Sequence, residues 1–142
     1  MAGLQLLIMN AKPILIWVKY MQDFTPQILT LNNRAKVRQE MAQIECTTAG
    51  INLMQDKALF RVIKLHGVNT KAANILKQTF LSKGGEVAIS RHCADLSKDT
   101  SDVIIMATIH QYKQAIPVLK MQPWKLKQIA EILTNIINEE VS

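Results

Sequence analysis

Three histidines and two cysteines are the side chains of this 142-residue chain best suited to nucleophilic or metal chemistry. His92 and Cys93 are adjacent, so on an extended backbone they point to opposite faces and cannot easily share a proton. Cys46 could join a Cys–His pair only through the fold, and the two thiols show neither a paired framework nor metal-ligand spacing. The plainer reading is free thiols in a reducing compartment, with Cys93 a small buried hydrophobe beside a surface imidazole. His110 opens a helix and is expected to face solvent. His66 ends a strand just before Gly67, a place where ligand-contacting residues occur, although a turn histidine with no role is the plainer reading. Gly67 leads into a helix start at Asn69, Thr70 and Lys71, where free backbone N–H groups can receive an anion. His66, Gly67, Asn69, Thr70 and Lys71 therefore form the candidate anion-binding set, without Walker spacing or a dinucleotide fingerprint. Asp95, Asp99 and Asp102 cluster but lack the calcium-loop spacing and its closing Glu. No catalytic residue, metal site or cofactor is expected.

Several elements must hold these residues. Gln27 to Leu31 reads as a short strand, and Asn32 or Asn33 caps a helix with Val37, Met41 and Ile44 inward and Arg34, Arg38 and Glu40 outward. That helix ends before the breaker Thr47 to Gly50. Phe60 to Leu65 is a strand stopped by Gly67. Asn69 or Thr70 caps a helix with Ala72, Ala73, Leu76, Phe80 and Leu81 on one stripe, ended by Gly84 at a left-handed cap. Val87 and Ile89 share one face of a second strand, and a polar link runs from Asp95 to Ser101. The run Val103 to Ile109 is continuous and apolar, as in an interior strand. A helix near His110 to Lys120 is disturbed by Pro117. Pro123 opens a last helix, striped by Leu126, Ile129, Leu133 and Ile136 or Ile137. The fold class is α/β: a small mixed sheet with helices mainly on one face, in the order β-α-β-β-α-α after a β-α unit.

Composition narrows the function. At 142 residues the chain cannot hold a (β/α)₈ barrel, which needs about 200 or more. Seventeen basic against eleven acidic residues give a net charge of +6, which favours an anionic partner. Lys57, Arg61, Lys64, Lys71, Lys77 and Lys83 follow one another without an intervening acid, and Lys113, Lys120, Lys125 and Lys127 form a second group. Side by side they would make one positive surface for RNA, a phosphorylated ligand or an acidic protein. Aromatic interleaving for single-stranded nucleic acid is sparse, limited to Phe60, Phe80, Tyr112 and Trp124. Leu4 to Tyr20 is greasy, but Lys12, Pro13 and Lys19 interrupt it, and it falls short of the ~20 apolar residues of a membrane span. A cytoplasmic protein is expected.

The stretch Ala72-Ala73-Asn74-Ile75-Leu76-Lys77-Gln78, followed by Leu81-Ser82-Lys83-Gly84-Gly85-Glu86-Val87-Ala88-Ile89-Ser90-Arg91, resembles the pre-barrel region of a group of bacterial dihydropteroate synthases. So do Thr100 to Thr108, Gln111-Tyr112 and Leu119 to Trp124, together with Leu29 to Asn33, Gly50 to Met54 and Phe60 to Leu65. The similarity runs from about Gln27 to the C-terminus, so residues 1–26 are an unmatched segment and residues 27–142 the matched domain. The resemblance implies an accessory domain beside a pterin-binding (β/α)₈ barrel that joins a dihydropterin pyrophosphate to p-aminobenzoate. The barrel's Asn-Val-Thr-Pro-Asp-Ser-Phe motif is absent, so no catalytic or pterin-binding residue carries over. Pro117 departs from a segment that the relatives keep helical. Docking on a barrel would use Trp17 in the Ile14 to Val18 run, or Trp124 and its neighbours. A homo-oligomer stays open, as does a stand-alone basic module for nucleic acid or a phosphorylated ligand.

Overall fold

The computed structural model describes Val18 and residues 23–140. The chain divides into two units, residues 1–30 and residues 31–142. In the first, residues 25–30 form no regular element, and Phe24 and Ile28 are exposed. Trp17 lies outside the described residues.

The second unit opens with α1 (Arg34–Gln43), whose N-terminus is closed by Asn33 accepting from the Lys36 N–H at 2.9 Å. Gln27 to Leu31, expected as a strand, is irregular, because the described sheet pairs no strand with it. Val37 is buried and Met41 packs on the core, but Ile44 lies past the helix end and is exposed. Arg34 and Arg38 are half-buried and bonded to neighbouring side chains, not free in solvent. Arg34 reaches Asp56, and Arg38 reaches Asn52 and Gln55. Thr47 to Gly50 is not a plain breaker: the Thr47 hydroxyl accepts from the Gly50 N–H and starts α2 (Thr48–Met54).

A 3₁₀ turn, Gln55–Lys57, leads into β1 (Phe60–Asn69), which is followed by α3 (Thr70–Ser82), β2 (Glu86–Ala88), β3 (Thr100–Thr108), α4 (Ile109–Leu119) and α5 (Leu126–Glu140). β3 is central and antiparallel to both neighbours, in the order β1-β3-β2. The fold is α/β with a small sheet and no barrel. The sheet is antiparallel rather than mixed, because β3 inserts between the two strands that α3 connects. β1 also runs past Gly67. His66 and Gly67 together face Asp102, a β-bulge that lets the strand continue to Asn69.

Burial along the strands alternates. Val103, Ile105 and Ala107 are buried and Ile63 and Leu65 pack on the core, so one face carries the helices. β3 is interior by position but buried on that face alone. Its apolar run reflects a second, open face where Ile104 and Met106 sit beside Phe60 and Val62 of β1.

α3 ends as its glycines require. Gly84 takes φ +87°, its N–H donates to the Leu81 carbonyl, and Gly85 donates to Phe80, a Schellman closure. Leu81, expected on the inner stripe, is exposed at that end. Thr108 and Gln111 form a reciprocal capping box at the start of α4. α4 runs through Pro117 to Leu119, since the proline falls in its last turn. Tyr112 meets Phe80 edge-on with ring centroids 5.3 Å apart, and its buried hydroxyl donates to the Arg61 and Ile105 carbonyls. α5 starts at Leu126, not at Pro123, because Trp124 and Lys125 both adopt left-handed φ of 57° and 65°.

Candidate functional site

The β1 bulge and the left-handed turn before α5 enclose a cavity of about 440 Å³. That lies within the size range of small-molecule sites. Leu65, Val68, Ile129 and Ile132 give it apolar walls. Trp124, Lys125 and Gln128 form one side, and His66 and Asn69 the other. Two consecutive non-glycine residues at positive φ are costly, and such conformations cluster at ligand clamps.

Asp102 fixes the bulge. Its Oδ1 accepts the Gly67 N–H at 3.0 Å, and its Oδ2 lies 3.2 Å from His66 Nδ1. These bonds, the Gly67 amide foremost, hold the Asp102 carboxyl below the usual aspartate range despite some desolvation. Gly67 itself takes φ +67°, a conformation that costs a side chain about 1–2 kcal/mol.

The residues expected to hold an anion do meet here, though their backbone donors are engaged. The Gly67 N–H is bound to Asp102, and the Lys71 and Ala72 N–H groups are capped by Asn69 Oδ1. Thr70 is buried, and its hydroxyl donates to the Lys98 carbonyl. Asn69 and Thr70 thus build the helix start. The remaining cationic groups are the side chains of Lys125 and of Lys71, whose Nζ lies 5.5 Å from the Trp124 ring centre. Lys125 stands in the second basic group of the sequence but is not tied there to the His66–Lys71 set, and Gln128 goes unnoticed, because nothing signals that Trp124 and Lys125 turn left-handed.

The other candidates are structural. Cys93 is buried, and its carbonyl accepts from Asn74 Nδ2. The neighbouring His92 bonds the Ser97 hydroxyl at 2.9 Å. Cys46 is half-buried and free. His110 is half-buried on the first turn of α4 rather than solvent-facing. Asp95 accepts from the Ser97 N–H within a turn. Among the described residues no group of three or more His, Cys, Asp or Glu could hold a metal ion. No described helix is long and apolar enough to cross a membrane.

Three side chains of the two basic groups have acidic partners. Arg61 pairs with Glu140, Lys77 with Glu86, and Lys113 with Asp56. Phe80 and Tyr112 are core residues, so neither ring is free to stack on a base.

No family model matches the chain, and no solved structure does. It is 34% identical over 92 residues to a probable bifunctional folylpolyglutamate synthase/dihydropteroate synthase of Halobacterium salinarum. That stretch is 65% of this chain and 11% of the relative, so the chain spans about a tenth of the curated protein it matches. The similarity supports a relation to this folate-pathway family.

Proposed function

We propose that the chain is an accessory, non-catalytic domain of a dihydropteroate synthase, and that it docks on a pterin-binding barrel through the open face of its sheet. The observation that carries this reading is the 34% identity over 92 residues to a much longer protein named for that activity. A segment that fills 11% of such a chain has abundant polypeptide to pack against.

The open face suits that role. Phe60 is 54% exposed, Val62 61% and Ile104 37%, and Met106 lies between them. An antiparallel sheet can leave one face to water, and that face is then usually polar. Contiguous apolar side chains in that position mark an interaction surface. Lys64 and Glu86 flank the patch, and the net charge of +6 favours an acidic partner. Trp124 belongs to the cavity instead of the docking face.

The test is co-expression of the tagged chain with the dihydropteroate synthase encoded in the same genome. The expected result is co-purification as a complex that survives size-exclusion chromatography. Separate elution at micromolar concentrations of both would overturn the proposal.

A further inference from the structure

The cavity between the β1 bulge and the turn before α5 has no part in docking through the sheet, and its chemistry is specific. We infer that it binds a small phosphorylated ring compound of nucleoside monophosphate size. The ring would lie against Trp124 and the aliphatic wall, and the phosphate beside Lys125.

The apolar and polar halves of the site are separate. Val68, Ile129 and Ile132 supply an apolar wall, and Trp124, 45% exposed, lines the same cavity. Aromatic faces hold planar rings with little regard to their substituents. No carboxylate lines the cavity. The nearest acid of the bulge, Asp102, is committed to Gly67 and His66. The side chains of Lys125 and Gln128 make no hydrogen bond or ion pair to any described residue, while Arg61, Lys77 and Lys113 are each bound to a carboxylate. An ammonium without a counter-charge, at the edge of an apolar hollow, is an anion-binding group. Lys71 above Trp124 adds a second positive charge at the rim and ties the indole to the start of α3.

A phosphate on a ring satisfies both halves, whereas a bare anion leaves the wall wet and a neutral ring leaves Lys125 unpaired. The volume of about 440 Å³ accommodates one ring system with its sugar phosphate. Gln128 and Thr100 would reach ring or sugar polar atoms.

The inference does not depend on the barrel partner, and its test uses the chain alone. The chain has two tryptophans, so Trp17→Phe leaves Trp124 as the sole indole reporter. AMP, GMP, CMP and UMP are titrated against its fluorescence, alongside adenosine and inorganic phosphate. The expected result is saturable quenching by at least one monophosphate, with adenosine and phosphate each at least tenfold weaker. Lys125→Gln should weaken that monophosphate at least tenfold with an unchanged melting temperature, and added salt should weaken it further. Three results would overturn the inference: no quenching by any of the four at millimolar concentration, equal affinity for inorganic phosphate alone, or unchanged affinity in Lys125→Gln.

Discussion

Asp56 joins two basic side chains from distant helices. It accepts from Arg34 of α1 at 2.8 Å and from Lys113 of α4 at 2.6 Å, and so clamps the first helix to the helical layer on the sheet. Burial pushes its pKa up, but hydrogen bonds and charge from Lys113 and Arg34 outweigh this and hold it below the ordinary 3.8. A carboxylate depressed in the folded state contributes its stability above the unfolded pKa and loses it as the pH falls through the folded one. Asp56→Asn should therefore cost about 1–2 kcal/mol at neutral pH. Its melting temperature should approach that of the unsubstituted protein below about pH 4. Parallel melting curves from neutral to acid pH would contradict the clamp. Nothing in the sequence reveals Asp56, because its partners lie 22 and 57 residues away. His66, Gly67 and Asn69 were legible as a group, since strand end, glycine and cap follow one another. What the sequence hides is that Asp102 and Asn69 occupy the backbone donors an anion would need.

Elements were more legible than residues wherever a local rule decides them. Asn33, Asn69 and Gly84 cap as their types dictate, and the core order β-α-β-β-α-α is present. Errors arose where one feature had two meanings. Thr47 to Gly50 both ends α1 and begins α2, and the apolar run of β3 covers a buried and an open face. Two substitutions test the local account. Gly84→Ala forces a side chain into φ +87° with Gln111 Nε2 3.2 Å from the new carbon, and should cost about 1–2 kcal/mol. Pro117 is exposed in the last turn of α4 and offers no N–H to the helix. Pro117→Ala opens no cavity and restores a donor, so it should stabilise the domain by about 1 kcal/mol. Urea denaturation midpoints report both. An unchanged or lower midpoint for Pro117→Ala would mean that the helix already accommodates the ring without loss.

At the scale of the second unit, the described helices and loops cover one side of a three-stranded sheet, and the other side carries exposed apolar side chains at its centre. A sheet of this size gains from having both faces packed. The proposed accessory role would give that face a partner, and no composition or spacing argument could have named Phe60, Val62, Ile104 and Met106 as neighbours on it. That set required knowing the register, which places Val62 opposite Met106 and Lys64 opposite Ile104. The most direct test is calorimetric titration of the dihydropteroate synthase barrel with the unsubstituted chain and with Val62→Asp and Ile104→Asp. Both positions are exposed, so the variants should fold with near-normal melting temperatures. Binding by the unsubstituted chain, with Kd raised at least tenfold in each variant, is the predicted result. An unchanged Kd in both variants, or no binding by the unsubstituted chain, would contradict docking through the open face.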